Sequence, residues 1–247
     1  MKRFLVTCAY DGSNFAGWQK QKNKRCVQSE IENAISVFDT RDYRIVGSGR
    51  TDAKVHALGQ RFHWDTEISI DGNQTVKAIN AHLPEDIRIV EALEVPLTVH
   101  ARFSAIGKCY RYLINNGTYD IFARNYQGFV REKLDIEKMR NASTVFCGEH
   151  DFTSFCATTL LEKENQIREI TSITIDKTDD LITLQFDGNG FLRYMVRMIT
   201  QTLIEVGKGK LTEKDVETML RAKNKKACRY NARPEGLYLV GIEYGEY

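Results

Sequence analysis

The chain has 247 residues, of which 42% are hydrophobic and 28% charged, as is typical of a soluble globular protein. Lys and Arg together number 35 against 33 Asp and Glu, so the net charge is only +2. This balance excludes a uniformly basic coat, and any polyanionic partner must be held by a local basic patch.

The start of the chain, MKRFLVTCAYDGSNF, has no hydrophobic core of a signal peptide and no small-residue cleavage site. The longest apolar runs stay far below the roughly 20 residues that span a bilayer. The six cysteines form no CxxC pair and the five histidines no HExxH motif, so the spacing offers no zinc site. We therefore expect a cytoplasmic protein with free thiols and no membrane association.

The first part of the chain predicts the order β-α-β-β-α-β. The predicted strands are Arg3–Tyr10, Tyr43–Val46, Leu58–Trp64 and Ile87–Val95, and the predicted helices are Gln28–Phe38 and Thr75–Leu83. Pro84 ends the second of these helices.

The second part repeats the pattern with one additional helix. Its predicted strands are Ile106–Ile114, Ile170–Asp176, Leu181–Phe186 and Leu237–Glu243, and its predicted helices are Ile136–Phe146, Phe191–Val206 and Glu213–Ala222. The sequence thus predicts an α+β fold of two tandem ferredoxin-like (split βαβ) units, 1–104 and 105–247. Because each unit has one apolar sheet face to cover, we expect one continuous sheet with helices packed on it.

The most concentrated polar cluster is residues 47–57, GSGRTDAKVHA, between two predicted strands. Asp52 is its only carboxylate, and Arg50 stands two residues before it. An aspartate in a glycine-rich loop is usually a turn former. The density of Arg, Thr, Asp, Lys and His in one short connection nevertheless makes this loop a candidate functional site.

Basic residues cluster in two places. Lys20, Lys22, Lys24 and Arg25 fall within six residues, just after Phe15 and Trp18. A second basic stretch runs from Lys208 to Arg229. Such runs are usually solvated loops, but two of them in a nearly neutral chain indicate a polarised surface suited to a nucleic-acid backbone.

The segment 187–193, DGNGFLR, follows a predicted strand and opens a predicted helix. It is not a dinucleotide-binding fingerprint, because Arg193 stands where the third glycine is required. Arg193 and Arg197 are predicted to lie one helical turn apart. They form either a solvated pair or a site in which at least one reaches a carboxylate or a phosphate.

The stretch GRTDAKVHA (49–57) resembles the signature loop of the TruA family of tRNA pseudouridine synthases, which usually reads GRTDAGVHA. The resemblance extends along essentially the whole chain. Further matching segments are residues 10–19, 27–28, 100–105, 108–112, 151–155, 190–197 and 234–239.

This resemblance implies isomerisation of uridine to pseudouridine at positions 38, 39 and 40 in the anticodon stem-loop of tRNA. It also implies a basic active-site cleft and a homodimer that needs neither a metal nor an organic cofactor. By motif, Asp52 is the catalytic aspartate, Tyr110 stacks on the target base and Arg197 pairs with the aspartate. Arg50 lies beside the displaced nucleotide, and Leu237 lines the base pocket.

Three positions depart from the family pattern: Lys54 replaces a glycine, Arg193-Tyr194 replaces Tyr-His, and Arg233 replaces a frequent proline. Lys54 is strained if the backbone there has a positive φ, and Lys54 and Arg193 are candidate contacts to the RNA backbone. Two other hypotheses are a non-catalytic RNA-binding or RNA-folding paralogue and a pseudouridine synthase with a different structured RNA target. A hydrolase with paired carboxylates is a weaker one, because Asp179-Asp180 sits in a predicted turn.

Overall fold

The computed structural model describes residues 1–41, 44–157 and 165–246. Across these residues it contains ten strands and five α-helices, which confirms the mixed α/β class. The chain divides into two compact units, Met1–Ile106 with Tyr238–Tyr247, and Gly107–Leu237. The closing strand therefore belongs, from Tyr238 onward, to the first compact unit.

The first unit is a sheet with two helices. Its strands are β1 (Lys2–Tyr10), β2 (Val46–Gly47), β3 (His56–Thr66), β4 (Ile87–Val95) and most of β10 (Leu237–Tyr244), and its helices are α1 (Val27–Ser36) and α2 (Gly72–Asn80). The strand order is β4-β1-β3-β10, and β2 pairs with β3. β1 is antiparallel to both neighbours, whereas β10 runs parallel to β3.

Aromatic residues fill the core of this unit. Phe4 on β1 lies opposite Trp64 on β3, and their stacked rings have centroids 5.9 Å apart. Such cross-strand aromatic pairs stabilise a sheet beyond the area they bury. α1 adds buried Ile31 and Ile35 from one face, as its helical spacing predicts.

The second unit is a sheet with three helices, antiparallel except for the short parallel pair of β5 and β6. Its strands are β5 (Ala105–Asn115), β6 (Gly128–Phe129), β7 (Gly148–Asp151), β8 (Ile167–Thr178) and β9 (Leu181–Gly188), and its helices are α3 (Ile136–Ser143), α4 (Met195–Gly207) and α5 (Glu213–Arg221). The strand order is β5-β9-β8-β7, and β6 pairs with β5. The predicted β8–β9 hairpin is confirmed, and Asp179 at its turn has a φ of 53°.

The boundaries of three predicted helices need correction. α2 begins three residues before the predicted Thr75, because Asp71 and Gln74 form a capping box there. α3 ends at Ser143, and a tighter 3-10 turn continues to Phe146. α4 begins at Met195 and not at Phe191, because Tyr194 at its N-cap is left-handed, with a φ of 65°.

Short strands were predicted least well. The predicted strand Tyr43–Val46 begins outside the described residues, and the described part of that region pairs only as Val46–Gly47. The sequence analysis did not predict β6 and β7, because runs of two and four residues carry too little alternation to be recognised. Among the described residues, no helix has both the length and the apolar character to cross a membrane.

Candidate active site

The loop that carries Asp52 is anchored at both ends. It leaves β2 at Gly47, where a Cβ atom would lie 2.5 Å from the indole nitrogen of Trp18, so the close packing requires glycine. The Ser48 amide then donates to the Arg61 carbonyl at 2.7 Å, and the Val55 amide donates to the Asp52 carbonyl at 3.2 Å. Thr51 is buried and Asp52 half-buried, so the carboxylate sits on a fixed turn at the start of β3.

A second segment, residues 10–19, packs its backbone directly against this loop. The Trp18 amide donates to the Thr51 carbonyl and the Lys54 amide donates to the Phe15 carbonyl, both at 3.2 Å. Gly17 has a φ of 103°, and a Cβ atom there would lie 2.6 Å from the Thr51 carbonyl oxygen. Two motifs that are far apart in sequence thus form one rigid structure around Asp52.

Two buried polar side chains complete this structure. The Tyr10 hydroxyl lies 2.8 Å from the Thr51 hydroxyl, one residue before Asp52. His56, the last polar residue of the motif, accepts a hydrogen bond from the Gly12 amide through Nδ1 at 3.0 Å. Its ring stacks on Tyr238 with a centroid distance of 4.7 Å. These contacts oppose displacement of the loop from the sheet.

Arg50 and Lys54 lie on either side of Asp52 in the loop, and both are exposed. Arg50 donates through Nε to the Gln19 side chain at 3.1 Å. Lys54 adopts a φ of 65°, in the left-handed region that favours glycine. The strain expected for a lysine at the usual family glycine is therefore present.

The four basic residues after Trp18 fall into two groups. Lys20 pairs with Glu32 at 2.9 Å, and Arg25 makes a bidentate pair with Asp86 at 2.6 and 2.8 Å. The Arg25 guanidinium also lies 4.2 Å from the centre of the Phe15 ring, and its hydrogen bond with Asp86 raises its pKa. Lys22 and Lys24 are exposed, and within the described residues no ion pair involves either of them.

In the second unit, Tyr110 lies on β5 opposite Phe186 of β9. Its half-buried ring meets the edge of the Phe191 ring, with centroids 5.3 Å apart and an interplanar angle of 81°. This packing restricts the plane of the Tyr110 ring. Leu237, the first residue of β10, is only 5% exposed.

Arg193 and Arg197 share one aromatic ring. Each guanidinium carbon lies 4.9 Å from the centre of the Tyr194 ring. Arg197 also donates through Nε to the Ala232 carbonyl at 2.7 Å. Arg193 precedes α4 and Arg197 lies within it, so the two residues are not one helical turn apart as predicted. Both instead pack against the Tyr194 ring.

A model of the family described as "tRNA pseudouridine synthase" matches residues 7–104 and 142–245. The chain belongs to this family. Among its relatives, tRNA pseudouridine synthase A of Exiguobacterium sp. is 43% identical over 99% of this chain and 98% of its own length. The proteins of the same name from Limosilactobacillus fermentum (42%, 99% and 96%) and Bacillus pumilus (43%, 96% and 97%) are equally similar.

Membership of the tRNA pseudouridine synthase family makes the chain an enzyme, an isomerase that converts uridine in tRNA into pseudouridine. The hypothesis of a non-catalytic RNA-binding protein is thereby set aside. The reaction breaks an N–C glycosidic bond, turns the uracil and forms a C–C bond. It needs a carboxylate near the sugar, and it needs a flat wall that retains the detached base.

Several residues that contact the candidate site residues could not be recognised from the sequence. Tyr10 and Gln19 lie in a matching segment, but no role was assigned to either. Tyr194 was placed within a helix, and its ring between two arginines could not be recognised. The one available signal was the local cluster of Arg193, Tyr194 and Arg197, since arginine often packs on aromatic faces.

Proposed function

We propose that the enzyme isomerises uridines 38, 39 and 40 in the anticodon stem-loop of tRNA, with Asp52 as the catalytic carboxylate. The observation that carries the proposal is the rigid support of the Asp52 loop by residues 10–19, through the Trp18 and Lys54 amides. Preorganised placement of a reacting group is a major source of catalysis. The same experiments would identify the alternative target, another structured RNA, if that is the RNA that the enzyme modifies.

The remaining roles follow the chemistry of each side chain. A uridine inside a paired stem must be flipped out, which costs a few kcal/mol, and stacking on Tyr110 would return about 1–3 kcal/mol. Leu237 would line the base pocket. Arg197 would keep the catalytic carboxylate ionised, and its Nε bond to the Ala232 carbonyl supports a fixed guanidinium. Arg50 would hold the displaced nucleotide.

We assign contacts to the RNA backbone primarily to Lys22, Lys24, Lys54 and Arg193. All four are exposed. Lys20 and Arg25 belong to the same surface, but their ion pairs make their contribution to phosphate binding smaller. We further propose that the enzyme is a cytoplasmic homodimer and that each chain is built from tandem ferredoxin-like units. The order β-α-β-β-α-β in the first unit supports the ferredoxin-like architecture.

Asp52→Asn tests the catalytic assignment. The substitution keeps the shape of the side chain and removes its charge, whereas RNA affinity depends mainly on phosphate contacts. We expect loss of pseudouridine formation at positions 38–40 with RNA binding nearly intact. Turnover by the asparagine variant, with deamidation to aspartate excluded by mass spectrometry, would refute the role of Asp52. Mapping pseudouridine in total RNA with and without the enzyme identifies the modified sites.

A further inference from the structure

A continuous chain of side-chain hydrogen bonds runs from the interior of the first unit to Arg50. Lys20 Nζ pairs with Glu32 Oε2 at 2.9 Å, and Gln28 Nε2 donates to Glu32 Oε1 at 2.9 Å. Gln19 Nε2 donates to Gln28 Oε1 at 2.8 Å, and Arg50 Nε donates to Gln19 Oε1 at 3.1 Å. The chain thus connects a buried carboxylate on α1 to the exposed arginine of the catalytic loop.

The direction of every bond in this chain is dictated by Gln28. Its Nε2 faces the Glu32 carboxylate and the Ile45 carbonyl, which can only accept. Its Oε1 faces the backbone amide of Lys20, which can only donate. The Gln28 amide therefore has one allowed orientation, and Gln19 must turn its own NH₂ group toward it.

The orientation of Gln19 in turn determines which of its atoms faces Arg50. With its NH₂ group bound to Gln28, Gln19 presents its oxygen outward, and a guanidinium can only donate. Gln28 and Glu32 are 7% and 9% exposed, Gln19 is half-buried and Arg50 is exposed. The buried Gln28 and Glu32 side chains therefore restrict the motion of Gln19, and Gln19 in turn restricts the motion of the Arg50 side chain. Among the described residues, Gln19 is the one partner of Arg50, and it occupies Nε, so the two terminal NH₂ groups remain for a ligand.

We propose that Gln28 is a positioning residue that acts through Gln19 to hold the Arg50 guanidinium ready for a phosphodiester of the RNA substrate. Terminal guanidinium nitrogens in a fixed plane match two phosphate oxygens. Holding that plane in advance lowers the entropy lost as the nucleotide is displaced into its reactive position within the bound complex, so the benefit appears in the rate constant at saturating enzyme and not in Kd. This inference rests on the proposed function for the identity of the ligand. The conformational order that it predicts for the Arg50 side chain does not depend on that function.

The first test measures the side chain of Arg50 in the free protein by ¹⁵N relaxation of its Nε–H group. In the wild type we expect an ordered signal, and in Gln28→Met an order parameter in the flexible range, below about 0.6. Gln19→Met should give the same result. Because Gln19 is less buried than Gln28, this variant replaces Gln28→Met in the test if Gln28→Met does not fold. The matched control is Gln201→Met in the second unit. Gln201 donates a hydrogen bond to Glu205 one helical turn away, as Gln28 does to Glu32. An unchanged Arg50 signal in Gln28→Met, or in Gln19→Met where Gln28→Met does not fold, would overturn the proposal, whatever the RNA target is.

The second test is a double-mutant cycle in single-turnover reactions at saturating enzyme. Gln28→Met should lower the rate constant about tenfold, a loss expected for a misplaced positioning group, with Kd for tRNA changed less than about twofold. In an Arg50→Met background the same substitution should have no further effect, because the group it positions is absent. An undiminished loss in that background, or an equal loss in Gln201→Met, would show a general structural effect and refute the relay. If the wild type converts no uridine in tRNA, the proposed function fails, and the relaxation measurement alone decides the relay.

Discussion

At the scale of single residues, Lys54 is the clearest case of local strain in the site. Its φ of 65° costs an L-residue about 1–2 kcal/mol relative to an ordinary conformation. The family usually has glycine at this position. The retained lysine places a positive charge two residues from Asp52, on the exposed side of the loop, so a gain in phosphate binding would offset the strain.

Lys54→Gly and Lys54→Ala separate strain from charge. Glycine relieves the left-handed conformation but has more entropy to lose on folding, so we expect a net stabilisation of about 0.5–1 kcal/mol in urea unfolding. Alanine keeps the strain and should leave stability nearly unchanged. Both variants should flatten the slope of log affinity for tRNA against log salt by about 0.7–0.9 if Lys54 contacts one phosphate. Equal stability of the glycine and alanine variants would contradict the assignment of strain.

At the scale of elements, β3 connects the Asp52 loop to a buried histidine. His63 on β3 accepts a hydrogen bond from the Ala101 amide at 3.0 Å, which holds the turn that follows β4. Burial lowers the pKa of His63 from 6.5 to about 4, and the positive charges of Arg3 and His100 add to this effect while Asp65 opposes it. His63 is therefore neutral in the folded protein at physiological pH.

This histidine predicts a specific loss of stability in acid. Between pH 6.5 and about 4 the unfolded chain takes up a proton on His63 that the folded protein does not bind, so unfolding becomes easier as the pH falls. A single such group adds a slope of about 1.4 kcal/mol per pH unit within that window. His63→Gln keeps a hydrogen-bond acceptor for Ala101 but cannot titrate, so this contribution should disappear. Urea unfolding at several pH values measures it, and identical slopes in both proteins would contradict the role of His63.

At the scale of the whole molecule, about half of the basic residues that look like a nucleic-acid surface in the sequence pair with carboxylates in the fold. In the second basic stretch, Lys208 and Lys210 both pair with Glu205. Arg221 pairs with Glu217, and Lys223 lies 4.0 Å from Asp151. With a net charge of only +2, we expect RNA affinity to depend on local groups of cations that make no ion pair among the described residues, such as Lys22 and Lys24.

Replacing Lys22 and Lys24 with alanine should weaken binding of different RNA sequences to the same extent. The salt slope should flatten by about 0.7–0.9 for each phosphate that the protein no longer binds, without a change in stability. Arg25→Ala should instead lower stability, because it removes the bidentate ion pair with Asp86. The control for net charge is Lys77→Ala with Lys177→Ala, both exposed and outside the run. An equal change of slope in this control would mean that bulk charge, and not the Lys22–Lys24 surface, attracts the RNA.

The sequence by itself determined the class of the fold and the family, and it located the loop that we propose to be catalytic. Alternating and helical spacing along β1, α1 and β4 reflects local burial, which the chain encodes within each element. The motif around Asp52 is contiguous, so its residues could be read together. From the sequence, Lys54 could be recognised as strained only on the condition that φ is positive there, which the structure shows and which glycine tolerates without strain.

Only the tertiary structure decided how the site is held and which charges remain exposed. The contacts of Gln28 with Gln19 and of Arg25 with Asp86 join residues from different elements, and no local spacing encodes them. The left-handed turn at Tyr194 overrides an apolar periodicity that favours helix from Phe191 onward. The physical reason is the same in each case: side-chain pairing and backbone breaks depend on neighbours that are brought together only when the sheet forms.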